Sequence, residues 1–208
     1  MGKAWKRHID RIFAQGLYKS VFYYVVTVGF DRIGIRCTHC FKHAGLLNLV
    51  PRDPERTFGS VASMSDWTER DLDVLCAYGG DALLADFQAA FSRRETCVVA
   101  RVACDGVACV CWLTNNNRYI FSKESPCWII QRCFTMPAHR GKRLYPQTLA
   151  YACELIRREC DDESPIFIEC SAFNYSSIRG IRKAGFLLAG KVFEVCGRKV
   201  YRRAYATD

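Results

Sequence analysis

The strongest constraint on this chain lies between Trp128 and Ile156. There an apolar run leads through the basic stretch Phe134-Thr-Met-Pro-Ala-His-Arg-Gly-Lys-Arg-Leu-Tyr-Pro146 into a helical repeat. Trp128 to Phe134 reads as a buried strand, and Gln147 to Ile156 carries apolar side chains at helical spacing, so the stretch between them is a strand-to-helix turn. The first amides of such a helix lack intrahelical partners and the aligned peptide dipoles add partial positive charge, which makes the turn a seat for phosphate. Arg140, Lys142 and Arg143 add fixed charge, and Gly141 lets a ligand approach the backbone with no Cβ in the way. Taken alone, a short basic loop is better explained as a solvated surface.

A second segment changes that balance. The strand-like Pro165-Ile-Phe-Ile-Glu-Cys-Ser171 precedes Asn174-Tyr-Ser-Ser-Ile-Arg-Gly-Ile-Arg-Lys-Ala-Gly-Phe186. The pair resembles the GNAT superfamily of acyl-CoA-dependent N-acetyltransferases. Their pyrophosphate loop usually reads Arg/Gln-x-x-Gly-x-Gly/Ala, and their next helix often reads Asn-x-x-Ser/Ala followed by Lys-x-Gly-Phe. Arg140 matches the first loop position, whereas Arg143 and Tyr145 stand where the pattern has glycine and a small residue. Asn174, Ser177, Lys183, Gly185 and Phe186 match the second motif in order and spacing. Two such motifs in the right order on the expected elements are more specific than either alone.

The resemblance implies direct transfer of an acyl group from the thioester of acetyl-CoA to an amine, with no covalent enzyme intermediate. It assigns thioester contacts to the backbone of Phe134, Thr135 and Met136. Pyrophosphate goes to the loop amides of Arg140, Gly141, Lys142, Arg143, Leu144 and Tyr145, and the pantetheine region to Asn174 and Ser177. Proton handling departs from the pattern, because the tyrosine that many members carry seven residues after the asparagine is Ile181 here. Tyr175 and Tyr145 are the nearby substitutes for that acid. Glu169 is the candidate general base, directly or through water, and Cys170 alternates to the opposite face of the strand. No metal is expected.

The rest of the chain follows the same architecture from about Phe58 to the C-terminus. Gly59 to Ser63 is a first strand. Thr68 to Ala77 and Asp81 to Ser92 are helical, with Asp66 or Ser65 capping the first and Gly80 the second. Cys97 to Ala103 and Val107 to Leu113 form a hairpin around Asp105-Gly106, and Leu187 to Val195 pairs with Arg198 to Ala204 around Gly197. The expected fold is therefore α/β: a GNAT-like mixed, mostly antiparallel central sheet with a splayed parallel strand pair and helices on both faces. Residues 1–57 are read as an N-terminal extension, with an amphipathic helix and a strand-like segment, and residues 58–208 as the acetyltransferase domain.

Composition agrees with this reading. The chain has 208 residues, half of them apolar, which suffices for one core. No apolar run reaches the roughly 18–20 residues of a membrane-spanning helix. The longest, Val21 to Phe30, lacks the small-residue cleavage pattern of a signal peptide, so a cytoplasmic protein is expected. Thirteen cysteines, an odd number scattered through predicted elements, read as reduced and mostly buried thiols. Cys37, His39, Cys40 and His43 have the spacing of half a zinc site, without a second CxxC to complete it.

The net charge of +9 is spread along the chain and no nucleic-acid-binding signature accompanies it, so nucleic acid is not the favoured partner. Near the N-terminus, Lys3, Lys6, Arg7 and Arg11 alternate with Trp5, Ile9, Ile12 and Phe13. Such a basic amphipathic helix could lie on an anionic membrane, or pack on the domain or on a second copy in a homodimer. The leading functional reading is an acetyl-CoA-dependent acetyltransferase acting on a small-molecule amine, with an amino sugar or nucleotide-linked amino sugar favoured. The alternatives are a catalytically degenerate acyl-CoA-binding domain and a basic membrane or nucleic-acid surface adaptor.

Overall fold

A computed structural model describes residues 35–45, 55–116, 119, 126–160, 164–195 and 198–203. The basic segment Lys3 to Phe13, the apolar run Val21 to Phe30 and the turn residue Gly197 lie outside the described residues. In chain order the strands are β1 (Ile35–His43), β2 (Arg56–Val61), β3 (Thr96–Val102), β4 (Gly106–Asn116), β5 (Cys127–Thr135), β6 (Ile166–Ser171), β7 (Phe186–Val195) and β8 (Arg198–Arg203). The helices are α1 (Glu69–Ser92) between β2 and β3, α2 (Leu144–Cys160) between β5 and β6, and α3 (Tyr175–Lys183) between β6 and β7. Short 3-10 turns occur at Met64–Asp66 and Pro137–His139.

The strands hydrogen-bond in the order β2-β3-β4-β5-β6-β1-β7-β8. Pairing is antiparallel from β2 through β5 and between β7 and β8. β5 and β6 run parallel over three pairs, Trp128 with Ile166, Ile129 with Phe167 and Ile130 with Ile168. The mixed, mostly antiparallel sheet expected from the sequence is present. It includes a strand, β1, contributed by the N-terminal segment. The chain divides into two compact units, the larger comprising Phe41–Ile168 and Gly180–Leu187. Among the described residues the smaller takes in 35–40, 169–179, 188–195 and 198–203.

Alternation along β3 and β4 gives the larger unit its two faces. Val99, Val110 and Trp112 pack with Leu75, Phe87 and Ala90 of α1. Ala100 and Cys109 pack with Leu144 of α2, and with Phe58 and Tyr145. Helices thus cover both faces of this part of the sheet. The α1 side is dense with aromatic rings: Phe87 meets Trp112 edge-on at 4.9 Å, and Phe91 lies 4.9 Å from the same indole. Removing the Trp112 ring, which is fully buried, would cost about 3–5 kcal/mol.

The start of α1 differs from the expected caps. Thr68, neither Ser65 nor Asp66, is the N-cap: its hydroxyl accepts from Asp71 N at 3.1 Å, and Asp71 Oδ2 accepts from Thr68 N at 3.2 Å. Asp66 instead closes the preceding 3-10 turn, accepting from Ala62 N and Ser63 N, because its carboxylate reaches those amides first. Asp71 is fully buried and also accepts from Arg101 Nε at 2.8 Å, which ties the helix start to β3. Gly80 breaks α1 with φ 65°, ψ −167°, so the element is two helices joined at the glycine where the second was expected to begin.

The CxxC segment lies along β1, where strand alternation sends Cys37 and Cys40 to opposite faces. Among the described residues no three metal-ligating side chains gather. His43 is buried and edge-on to Phe186 at 5.0 Å. Its Nδ1 accepts from Gly45 N, which requires a neutral ring. Burial, and then the positive charge of Arg157, hold its pKa below the usual histidine value of 6.5. The unfolded chain therefore binds this proton at higher pH than the folded one does. The associated stability is complete above pH 6.5 and is lost as the pH falls below it. Urea unfolding between pH 8 and pH 5 should show stability declining below pH 6.5, with a shallower decline in His43→Gln; identical slopes in the two proteins would remove His43 as the cause.

Candidate functional site

β5 is irregular where the site begins. Val110 of β4 pairs with Phe134 and Trp112 pairs with Gln131, so Arg132 and Cys133 together face the single residue Cys111. This is a β-bulge, and Arg132 adopts a left-handed φ of 48° to make it. Arg132 is secured from outside the strand, lying 4.9 Å over the Trp112 ring and paired with Glu95, which also accepts from Arg93 Nε. Sequence reading missed the bulge, because no glycine marks it.

Beyond the bulge, hydrogen-bond alternation decides which backbone groups are free. Met136 N donates to Ala108 O at 2.8 Å, so Met136 and, two residues earlier, Phe134 direct their backbone groups toward β4. Thr135 is a non-hydrogen-bonded partner of Cys109, and its N–H and C=O point away from β4. Two contacts agree with this: Thr135 Oγ1 and Cys109 Sγ hydrogen-bond at 3.3 Å, and Thr135 O accepts from Arg140 Nε at 3.2 Å. Of the three amides expected to meet a thioester, Phe134, Thr135 and Met136, only Thr135 turns its N–H outward. Burial pushes the Cys109 thiol up to about 11, so the thiol nearest this amide stays protonated near neutral pH.

The chain then turns. Pro137–His139 forms the 3-10 turn, with Met136 O accepting from His139 N and Pro137 O from Arg140 N. The His139 ring is buried, with Nε2 3.5 Å from Asp105 Oδ2. Gly141 has φ 80° and Arg143 φ 61°. A Cβ built on Gly141 would meet nothing within 4 Å, so the backbone there faces open space. Arg143 holds the left-handed conformation at the position where the motif has glycine, at a cost of about 1–2 kcal/mol for a residue with a Cβ. Arg143 O accepts from Gln147 N at 3.4 Å and Leu144 O from the Thr148 hydroxyl at 2.9 Å, opening α2. Pro146 sits in the first turn, where its missing N–H deprives the helix of no bond. Arg140 is half-buried, and Gly141, Lys142 and Arg143 are exposed. Backbone amides at a helix start, a glycine backbone open to a ligand and three basic side chains together can bind an anion.

The second departure from the motif also has a structural answer. A Cβ on Gly180 of α3 would lie 2.5 Å from Tyr145 Cδ1 and 2.9 Å from Cε1. The bulky residue at the small-residue position is therefore seated on a glycine of another helix. That pairing has no signal in either segment alone. The Tyr145 ring packs against this glycine and into the α2 side of the core.

In the smaller unit, Asn174 caps α3. Its Oδ1 accepts from Ser177 N at 3.2 Å and from the Ser176 hydroxyl at 2.9 Å. Glu169 is exposed on β6, and its Oε1 accepts from Cys40 Sγ at 3.6 Å. Tyr175 opens α3 and is 59% exposed. In the larger unit, Ile181 is fully buried.

No family model and no curated protein sequence matches the chain. Its structure does match solved ones. An acetyltransferase of the GNAT family from Colwellia psychrerythraea aligns with TM-score 0.51 at 11% identity, covering 86% of this chain and 61% of that one. A GNAT-family protein from Novosphingobium aromaticivorans aligns with TM-score 0.50 at 15% identity, covering 83% and 67%. A conserved Staphylococcus epidermidis protein of unknown function aligns with TM-score 0.56 at 13% identity, covering 86% and 68%. The fold is that of the GNAT acetyltransferases.

Within the GNAT fold this chain carries two bulky residues at motif positions that favour small ones, and each generates a measurable expectation. Arg143→Gly should raise stability by up to about 1 kcal/mol, read as a Tm increase of about 2–4 °C, because it relieves the left-handed φ. An unchanged or lower Tm would deny the strain. Gly180→Ala should destabilise by about 1–3 kcal/mol through overpacking against Tyr145. In a Tyr145→Ala background the same change should be neutral or stabilising, since alanine favours a helix over glycine by about 1 kcal/mol. Additive effects in this double-mutant cycle would show that the ring and the glycine are not in contact.

Proposed function

We propose that the protein is an acyl-CoA-dependent N-acetyltransferase that moves an acetyl group from acetyl-CoA directly to a primary amine of a small molecule, an amino sugar or nucleotide-linked amino sugar in particular. The observation that carries this reading is a double use of one residue, Thr135. Its outward N–H can donate to a thioester carbonyl, while its carbonyl anchors Arg140 at the head of the anion-binding turn. One strand end thereby couples an oxyanion donor to a seat for pyrophosphate, on the GNAT fold.

In this reading Thr135 N–H, flanked by Phe134 and Met136, polarises the thioester. The turn from Arg140 through Tyr145 holds the pyrophosphate by its amides, with the charges of Arg140, Lys142 and Arg143 around them. Asn174 and Ser177 are assigned to the pantetheine arm on the motif they share with the superfamily. The amine nitrogen attacks the thioester carbonyl, the oxyanion forms against Thr135 N–H, and collapse expels the CoA thiolate. The resemblance leaves proton handling to Glu169 as base, directly or through water, and to Tyr175 as acid, because the position of the usual tyrosine is Ile181. The protonated state of Cys109 supports direct transfer over an acyl-cysteine intermediate. The net charge of +9 suits a polyanionic cofactor.

Eleven of the cysteines are free thiols, which supports a reducing compartment such as the cytoplasm. No helix among the described residues is long and apolar enough to cross a membrane.

Calorimetry should give a dissociation constant for acetyl-CoA, and for CoA, between about 1 μM and 1 mM. Release of free thiol should appear when a panel of amino sugars and other primary amines is added. Gly141→Val, which places a β-branched side chain at positive φ in the middle of the turn, should weaken CoA binding by about tenfold or more. Absence of CoA binding to the unaltered protein would refute the proposal. Binding without thiol release from any amine would leave an acyl-CoA-binding domain that does not turn over.

A further inference from the structure

A strained turn keeps its shape only where its surroundings impose it. Gly141 and Arg143 are both left-handed, with Lys142 between them. Arg140 grips the turn from the β5 side. A second grip comes from Arg56, the first residue of the distant edge strand β2, which pairs with Val102 of β3. One nitrogen, Nη1, donates to Lys142 O at 2.9 Å and to Gln147 Oε1 at 2.9 Å. A single guanidinium therefore joins the middle of the turn to the first turn of α2. Gln147 is itself buried, so that end of the link is fixed.

We propose that Arg56 is a positioning residue that holds the anion-binding turn in its ligand-ready shape. The inference rests on the acyl-CoA reading given above and adds a residue outside both motifs. In a trans peptide the carbonyl of one residue and the N–H of the next point in opposite directions. Fixing Lys142 O against Arg56 consequently turns Arg143 N–H away from Arg56. The peptide that precedes α2 is thus oriented before any ligand arrives, and a phosphate bound by that N–H lies on the side of the peptide remote from the Arg56 guanidinium. Arg56 acts through the turn and does not itself touch the anion. Its role follows from the number and direction of its hydrogen bonds more than from its charge, because a guanidinium bridges two acceptors in a fixed plane and an ammonium does not.

Two measurements on the full chain test this, one of them free of any ligand. In amide hydrogen exchange without ligand, Arg56→Ala should raise the exchange of Gln147, the amide that closes the turn onto Arg143 O, by about tenfold, while α1 and β3 stay unchanged. In calorimetry, Arg56→Ala should weaken CoA by about tenfold and leave pantetheine, which lacks the pyrophosphate, unaffected. Arg56→Lys keeps the charge and should lie closer to Arg56→Ala than to the unaltered protein in both measurements. Unchanged exchange of the turn in Arg56→Ala would overturn the proposal. So would full CoA affinity in Arg56→Lys, which would mean that the charge attracts phosphate directly, or equal weakening of CoA and pantetheine, which would mean a general loss of structure. If the unaltered protein binds no CoA, the functional reading fails by itself and the exchange comparison still decides the role of Arg56.

Discussion

Arg143, held left-handed two residues after Gly141, gives the turn between β5 and α2 a conformation that a residue with a Cβ does not choose unaided. Arg140 bonds back to Thr135 O, Arg56 bonds across to Lys142 O, and Tyr145 seats its ring on Gly180. Three elements far apart in sequence converge on half a dozen residues. What they hold in place is a row of amides at the start of a helix, with charge around it and the open backbone of Gly141 beside it. The strain is local, and its restraint is distributed through the larger unit.

The bulge in β5 serves the same turn from the other side. An extra residue at Arg132 shifts the alternation of the strand so that Thr135, and not its neighbours, directs its backbone groups away from β4. The bulge has its own costs, a left-handed arginine and the partial burial of its charge, which holds the Arg132 pKa below the usual range. Trp112 and Glu95 offset them with a ring face and a carboxylate. The aromatic layer beneath α1, with Tyr78 stacked on Phe134 at 5.1 Å, is thus both core and foundation for the strand end.

Much of the architecture was legible in the sequence because it rests on period and punctuation. The β3–β4 hairpin is announced by Asp105-Gly106, and Gly106 does adopt φ 76°. The break at Gly80, the helix after Pro146 and the strand before Asn174 follow from spacing and from residues with few conformational options. The cap at Thr68 was missed for a physical reason: Asp66, Ser65 and Thr68 all qualify as N-caps, and only the position of Asp71, buried against Arg101, selects among them. The place of β1 in the sheet was equally hidden, since strand pairing across the chain leaves no trace in local pattern.

For the candidate site the division is sharper. The basic turn, its glycine and the Asn174 cap are written in consecutive residues, because anion binding and helix capping are local chemistry. Which of three amides faces outward depends on a hydrogen bond between Met136 and Ala108, and so on a register that only the folded sheet contains. Arg56 and Gly180 enter the picture from dozens of residues away, where sequence shows an ordinary arginine and an ordinary glycine. The sequence alone determined the kind of chemistry available, through charge, backbone freedom and helix polarity; the tertiary structure decided which groups are aimed and which are restrained, because direction and strain arise only when distant segments meet.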